Sequence, residues 1–222
     1  MFSYKAFFEQ VTLKDKIMES IICIDGVVGA GKTTLGEILC QSLDISFFKE
    51  PVDNNPLLEK FYHNQSRYSF PMQVYFLNKR FKMLKEAAQL SGCIMDRSIY
   101  GDVIFARLLQ EGGNMSQEEY DLYEELLMNM LEHAARPRLM IYLDITVENA
   151  IKRIERRGRA YEQIVPHDYW ARLNEHYTAY FNHYNFSDIL RIDVNELNFV
   201  DSEEDKKTII RIIENHLEPQ TA

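Results

Sequence analysis

The sequence has few cysteines, no long apolar run and a deficit of positive charge. Three cysteines, Cys23, Cys40 and Cys93, show no CxxC spacing, which excludes a disulfide framework or a zinc site and favours reduced thiols. No apolar run approaches the ~18 residues that span a bilayer, which excludes an integral membrane protein. The net charge of −9 opposes non-specific binding to nucleic acid or acidic lipid. We therefore expect neither a nucleic acid nor a membrane partner.

The first residues carry no targeting pattern. Residues 1–19 lack a continuous apolar stretch and a small-residue cleavage site, and they mix lysines with acidic residues. These features argue against a secretory signal and favour a cytoplasmic protein. We interpret residues 1–19 as an N-terminal extension and residues 20–222 as one domain.

What the chain does have is an alternation of short β-rich runs and helical periodicity. Five strands with intervening helices predict a mostly parallel α/β sheet flanked by helices. The predicted strands are Ser20–Asp25, Ile45–Phe48, Cys93–Met95, Leu139–Leu143 and Leu190–Ile192. The predicted helices are Thr33–Leu43, Met72–Leu90, Ser116–Ala135, Val147–Arg157, Asp168–Tyr184 and Glu203–His216.

A phosphate-binding motif follows the first predicted strand. The run Gly26–Thr33 matches GxxxxGK followed by Ser or Thr, and it stands between a strand and a helix as a P-loop requires. The glycines let backbone amides face phosphates, Lys32 reaches the β- and γ-phosphates, and the Thr33 hydroxyl ligates Mg²⁺. The candidate ATP-binding residues here are Gly26, Gly29, Ala30, Gly31, Lys32, Thr33 and Thr34.

A P-loop alone leaves two classes open, a phosphotransferase for a small acceptor and a nucleotide-driven switch. No NKxD motif is present, which disfavours a GTPase, whereas Cys93–Asp96 partly fits the Mg²⁺-binding strand of an ATPase. Glu50-Pro51 ends the second strand and Asp96-Arg97-Ser98 ends the third. Carboxyl ends of parallel strands meet at one edge of the sheet, so Glu50 and Asp96 should face the phosphate crevice.

Five ordered motifs together resemble the deoxynucleoside kinases. They are the P-loop, Glu50-Pro51, Tyr62 followed by Arg67-Tyr68-Ser69-Phe70 and Gln73, Asp96-Arg97-Ser98, and the segment Arg153–Arg159. The stretch Asn55–Tyr62 is most similar to the bacterial deoxyadenosine/deoxycytidine kinases. The resemblance implies a P-loop kinase fold with an Arg-rich lid, and transfer of the γ-phosphoryl group of ATP to a deoxynucleoside 5′-hydroxyl in nucleoside salvage.

The resemblance also implies roles for charged residues. Glu50 would be the base for the 5′-hydroxyl, and Arg97 would hold it and neutralise charge near the transferred group. Asp96 would support Mg²⁺ together with Thr33. In the lid, Arg153 and Arg157 would clamp phosphates, and Arg159 would lie nearer the adenine of ATP.

Seven residues are candidates for nucleoside binding. Glu162 would accept the sugar 3′-hydroxyl proton with Tyr62 as its partner, and Met72 and Phe105 would sandwich the base. The Gln73 amide can accept from and donate to adenine or cytosine, and Arg80 matches the family arginine that pairs with Asp102. An ionised Asp102 accepts from an amine and repels a carbonyl, so we expect deoxyadenosine, also deoxycytidine, weaker deoxyguanosine and disfavoured thymidine.

Two further expectations concern alternatives and assembly. A nucleoside monophosphate kinase would need extra arginines near the acceptor, where the region before Gln73 offers only Arg67. A non-enzymatic ATP-dependent regulatory switch is the other alternative.

A regular apolar stripe runs along one acidic helix, and by resemblance it forms a homodimer with the helix Met72–Leu90. The stripe consists of Tyr120, Tyr123, Leu127, Met130 and Ala134.

Overall fold

A computed structural model describes residues 20–52 and 55–217. Its five strands form one parallel sheet in the order β2-β3-β1-β4-β5, so the predicted α/β class is confirmed. The strands are β1 (Ile21–Asp25), β2 (Ser46–Phe48), β3 (Cys93–Asp96), β4 (Leu139–Asp144) and β5 (Asp188–Asp193). The extension predicted at residues 1–19 lies outside the described residues.

The central strands are apolar along their whole length because helices cover both faces of the sheet. All of β1 is buried, as are Leu139–Leu143 of β4. The helices are α1 (Lys32–Leu43), α2 (Leu58–His63), α3 (Gln65–Ala87), α4 (Asp102–Glu111), α5 (Gln117–Leu131), α6 (Val147–Arg157), α7 (Ala160–Gln163), α8 (His167–Asn182) and α9 (Glu203–Leu217). Among the described residues, no helix combines the length and apolar character needed to cross a bilayer.

Helix α3 begins earlier than the sequence predicts. The predicted helix starts at Met72, directly after Pro71, and proline in a helix interior costs about 3 kcal/mol. In the structure Pro71 lies inside the helix, which starts at Gln65. The Asn64 side chain caps this start by accepting the backbone N–H of Arg67 at 3.2 Å. The earlier start places Gln73 and Arg80 on the same rigid helix, well inside its ends.

Helix α5 buries three of the five residues of the predicted apolar stripe within the chain, whereas Met130 and Ala134 are half-buried. Ser116 and Glu119 form the predicted capping box, with bonds of 3.2 Å and 2.9 Å. Tyr120, Tyr123 and Leu127 are buried, packing with helices α3 and α4. An interior helix and an interface need the same periodicity, so the burial of these three residues leaves the predicted homodimer a prediction.

Candidate active site

The candidate site is a cavity of about 740 Å³ at the carboxyl ends of the parallel strands. Its walls come from the P-loop, the β2 end, helix α3, the β3 end and the lid between α6 and α8. The predicted site residues that line it are Gly29, Gly31, Lys32, Thr33, Thr34, Glu50, Tyr62, Met72, Gln73, Arg80, Asp96, Arg97, Phe105, Arg153, Arg157, Arg159 and Glu162. One cavity therefore contains both the residues predicted to bind ATP and the residues predicted to bind the nucleoside.

The P-loop has the backbone that the motif predicts. Gly29 and Gly31 have φ of +88° and +101°, a region that favours glycine. A Cβ at Gly29 would lie 2.7 Å from the Ala150 carbonyl oxygen, and one at Gly31 would lie 2.7 Å from Phe199 Cζ. The loop therefore packs so closely against its surroundings that glycine is required for space as well as for conformation.

Lys32 is folded back onto the P-loop. Its Nζ donates to the carbonyl oxygens of Gly26 and Val27 at 2.9 Å and 3.0 Å. Burial, reinforced by the positive charge of Arg97, lowers the pKa of Lys32 to about 8. Gly26 and Ala30 belong to the loop but do not line the cavity wall.

Thr33 and Asp96 form the candidate magnesium site. The Thr33 hydroxyl donates to Asp96 Oδ2, while Asp96 Oδ1 is buried and has no hydrogen-bond partner within residues 20–52 and 55–217. Burial raises the pKa of Asp96, so a cation beside it would favour the ionised form. An unpartnered carboxylate oxygen beside a hydroxyl is the hard oxygen donor set that suits Mg²⁺.

Glu50 is held by two arginines. Its Oε1 lies 2.6 Å from Arg80 Nη2 and 2.9 Å from Arg97 Nε. Burial alone would raise the pKa of Glu50, but Arg97 and Arg80 outweigh it and lower the pKa to about 2. The carboxylate is therefore ionised at neutral pH and is fixed at the wall of the cavity.

Asp102 lies behind Arg80 and not on the cavity wall. Arg80 Nη1 donates to Asp102 Oδ1, and Asp102 is 1% exposed. Burial raises the pKa of Asp102 to about 7, against the lowering effect of Arg80. The prediction that Asp102 faces the base therefore differs from its placement, since Gln73 and Arg80 are the polar groups that helix α3 presents to the cavity.

Helix α6 ends at Arg157 and is capped by Gly158, which has φ of +70° and donates its backbone N–H to the Ile154 carbonyl oxygen. Arg153, predicted to clamp phosphates, instead donates to the carbonyl oxygens of Ala30, Val194 and Leu197, at 3.2, 2.6 and 3.1 Å. Arginine has five donors, and three backbone contacts commit much of this capacity. Arg153 thus ties the P-loop to the segment after β5.

Arg157 and Glu162 are paired with each other. Arg157 donates through Nε and Nη2 to the two oxygens of Glu162, at 3.2 Å and 2.6 Å, and Arg159 Nη1 lies 3.6 Å from the same carboxylate. Glu162 is buried, whereas Arg157 and Arg159 keep 35% and 41% of their side chains exposed. The lid thus links the predicted phosphate clamp to the predicted sugar acceptor.

Sequence reasoning missed two residues that shape the site. Asp25 is fully buried at the end of β1, where its Oδ1 accepts from Gly26 N at 2.8 Å and lies 3.4 Å from Arg97 Nη1. Phe199 follows β5 and covers Gly31. The position of Asp25 immediately before the P-loop could have identified it as a site residue. The local sequence around Phe199 contains no motif that would have identified Phe199.

A P-loop that shares its cavity with a carboxylate held by arginines defines a P-loop kinase of a small acceptor. The model of the deoxynucleoside kinase family matches residues 22–218. A deoxyguanosine kinase of Lactobacillus johnsonii is 38% identical over 203 residues, covering 87% of this chain and 91% of that protein. A deoxyadenosine/deoxycytidine kinase of Bacillus subtilis is 37% identical, covering 86% of this chain and 90% of that protein.

A solved structure agrees with these matches. Deoxyadenosine kinase from M. mycoides with bound dATP has a TM-score of 0.79 and 33% identity, covering 86% of this chain and 97% of that one. The chain belongs to the deoxynucleoside kinase family, as the five motifs predicted. Arg67, the arginine that the region before Gln73 offers to a monophosphate acceptor, is exposed and lies outside the residues that line the cavity.

Proposed function

We propose that this enzyme transfers the γ-phosphoryl group of Mg²⁺-bound ATP to the 5′-hydroxyl of a deoxynucleoside, serving nucleoside salvage. The observation that carries the proposal is Glu50, an ionised carboxylate held by Arg80 and Arg97 in the cavity that contains the P-loop. A carboxylate fixed beside the acceptor hydroxyl can take its proton as the phosphoryl group arrives.

The low pKa of Glu50 indicates what kind of base it is. A carboxylate with a pKa of about 2 is a weak proton acceptor, and Brønsted behaviour limits its contribution. Phosphoryl transfer has a loose transition state, so little proton transfer is needed before the new bond forms. Glu50 therefore acts chiefly by orienting the hydroxyl and receiving its proton late, a role that pairing with two arginines favours.

Three cationic side chains neutralise the negative charge on the phosphoryl group that is transferred. Lys32 leaves its carbonyl contacts for the β- and γ-phosphates, Arg97 approaches from the β3 end, and Arg157 approaches from the lid. Thr33 and Asp96 hold Mg²⁺, which neutralises phosphate charge when bound. Arg153 acts indirectly because its backbone contacts fix the P-loop and the segment after β5.

The lid pair connects the two substrates. Glu162 accepts from the sugar 3′-hydroxyl with Tyr62 as its partner, and Arg157, which donates to Glu162, binds the phosphates from the lid. Occupation of the sugar site thereby orders the arginine that faces the transferring group. We assign Arg159 to the adenine end of the ATP site.

Base choice rests on two groups of helix α3. The Gln73 amide both accepts and donates, which suits the amine and ring nitrogen of adenine or cytosine, whereas Arg80 offers donors only. Met72 and Phe105 line the cavity as apolar walls for the base. We propose deoxyadenosine and deoxycytidine as acceptors, with deoxyguanosine weaker and thymidine disfavoured.

A panel of four deoxynucleosides with ATP and Mg²⁺ tests the proposal, with nucleoside-dependent ADP formation as the readout. The expected result is the highest kcat/KM for deoxyadenosine and the lowest for thymidine. Equal kcat/KM for all four would remove the base assignment. ADP formation that is independent of the nucleoside would indicate the regulatory switch instead.

We also propose a homodimer in the cytoplasm. Leu122 and Met128 of helix α5 keep 56% and 49% of their surface exposed, next to its acidic residues. The three cysteines are free thiols, as a reducing compartment allows. Sedimentation at micromolar protein, compared between the parent and a Leu122→Glu, Met128→Glu variant, tests the dimer. A parent that sediments as a 26.2 kDa monomer would refute it.

A further inference from the structure

Asp25 is a buried acid that the proposed mechanism does not use. It ends β1, the central strand, with none of its surface exposed, and it lies outside the residues that line the cavity. Its Oδ1 accepts from Gly26 N at 2.8 Å, and its Oδ2 has no hydrogen-bond partner in the described part of the chain. Burying such a carboxylate is costly, so its retention needs an explanation.

The cationic neighbour of Asp25 is the arginine that holds Glu50. Arg97 Nη1 lies 3.4 Å from Asp25 Oδ1, and Arg97 Nε lies 2.9 Å from Glu50 Oε1. The guanidinium also stands over two rings, 5.2 Å from the centroid of Phe105 and 5.6 Å from that of Tyr177. Arg97 itself has φ of +68°, which is rare outside glycine. Its orientation is thus fixed by specific contacts and not by an ordinary strand geometry.

Gly101 supplies the room that Asp25 needs. A Cβ at Gly101 would lie 2.6 Å from Asp25 Oδ2, although the φ of −92° at Gly101 suits any residue. Glycine at this position therefore leaves space for the carboxylate oxygen, which the Cβ of another residue would displace. Because Gly101 immediately precedes Asp102, the same turn positions both buried acids.

We propose that Asp25 is a positioning residue for catalysis, which fixes Arg97 relative to the first amide of the P-loop and through Arg97 sets the place of Glu50. The inference rests on the proposed role of Glu50. One oxygen of Asp25 contacts both the loop that binds the donor phosphates and the arginine that holds the acceptor base. Misplacement of reacting groups by about 1 Å can cost up to about 10²-fold in rate, so a rigid link between the two sides has a kinetic consequence.

The test compares Asp25→Asn with a matched control, Asp144→Asn. Asp144 likewise ends a parallel strand and contacts an arginine, with Oδ2 at 3.3 Å from Arg191 Nη1, but it lies outside the cavity lining. In the Asp25→Asn variant the amide oxygen can still accept from Gly26 N, yet the neutral side chain gives no charge to Arg97. We expect kcat to fall about tenfold in Asp25→Asn, with both KM values within about twofold, and no change in Asp144→Asn. A kcat equal to that of the parent overturns the inference, as does a loss confined to KM.

A double-mutant cycle with Arg97→Gln separates positioning from general damage. If Asp25 acts through Arg97, then Asp25→Asn lowers kcat no further in the Arg97→Gln background, whereas additive losses overturn the inference. If circular dichroism shows that Asp25→Asn does not fold, Gly101→Ala replaces it, because its Cβ displaces the Asp25 carboxylate oxygen. A kcat of Gly101→Ala equal to that of the parent would also overturn the inference. Failure of the Glu50 assignment is distinguishable, since it appears as unchanged kcat in Glu50→Gln alone.

Discussion

The two ends of the cavity hold their charges in opposite ways. The acceptor network, defined as Glu50, Arg80, Arg97 and Asp102, is deeply placed, with Arg80, Arg97 and Asp102 side chains only 4%, 3% and 1% exposed. The donor arginines, defined as Arg157 and Arg159, have side chains 35% and 41% exposed. Both sets must serve negatively charged or polar substrates, but only one is shielded from water.

This difference determines what each set can do. Buried charges interact strongly and cannot lose a partner without a large cost, so the acceptor network fixes geometry. Exposed arginines are screened by water and salt, so the donor arginines supply charge that can rearrange when ATP binds. The acceptor side should therefore respond to changes in shape and pairing, and the donor side to changes in charge.

Removing Arg80 should produce the largest effect. Arg80→Met leaves Asp102 and Glu50 without a shared cation, and breaking a buried pair costs about 3 to 5 kcal/mol. For a chain of this size we expect the Tm to fall by roughly 10 °C in differential scanning calorimetry. The control is Arg107→Met, which breaks the exposed pair with Glu111 at 2.7 Å and should shift the Tm by less than about 2 °C. Equal shifts would contradict the comparison.

Replacing Glu50 should come next. Glu50→Gln preserves size and an oxygen that can accept from Arg80 but removes the proton acceptor, so kcat should fall about 10²-fold with nucleoside KM largely retained. Steady-state kinetics with deoxyadenosine measure this, and Glu111→Gln provides the exposed control. An unchanged kcat would remove Glu50 from the mechanism.

Replacing a donor arginine should have a smaller and different effect. Arg157→Ala loses charge in the transition state and the bidentate contact to Glu162, so kcat should fall about tenfold or more. Arg156→Ala, which removes a 3.8 Å surface contact to Asp201, should leave kcat within about twofold. If Arg157→Ala raised only the KM for ATP, Arg157 would bind the phosphates of ATP in the ground state. Its assignment to transition-state stabilisation would then be wrong.

The smallest effect concerns pH. Burial lowers the pKa of Lys32 to about 8, so the amine is charged below pH 8 and becomes neutral as the pH rises through that value. The KM for ATP should therefore increase severalfold between pH 7 and pH 9 when ATP is subsaturating. The arginine in Lys32→Arg stays charged across this range. The KM of this variant for ATP should therefore not change between pH 7 and pH 9, even if its kcat is low. A flat KM in the parent protein would contradict the assignment.

Elements with strong local patterns were predictable from sequence. The buried strands and the helix Val147–Arg157 were expected with the bounds found or within a few residues of them, because apolar runs and caps are local signals. The helices Leu58–His63, Asp102–Glu111 and Ala160–Gln163 were missed. Two of them are very short, and Asp102–Glu111 begins directly after a 3₁₀ turn at Ile99–Gly101 that interrupts its pattern.

The site divides in the same way. The P-loop and Glu50 follow from motifs and from the rule that strand ends meet, and the structure brings both into one cavity. The placement of Asp102 behind Arg80 and the engagement of Arg153 with carbonyl oxygens depend on side-chain packing between distant elements. Sequence spacing indicates that such residues are near the site but not whether they face the ligand.

The strand order also has a consequence for how the molecule folds. Strand β1 pairs with β3 through Ile21 and Cys93, and with β4 through Ile22 and Leu139, so neither neighbour is close in sequence. The chain loses the entropy of closing these long loops before the stabilising contacts between the strands form. Folding of parallel sheets is therefore slow. The phosphate loop at the end of β1 is made early during synthesis, yet its supporting strands are complete only after residue 144. We therefore expect nucleotide affinity to emerge late in refolding, after most helical signal has returned.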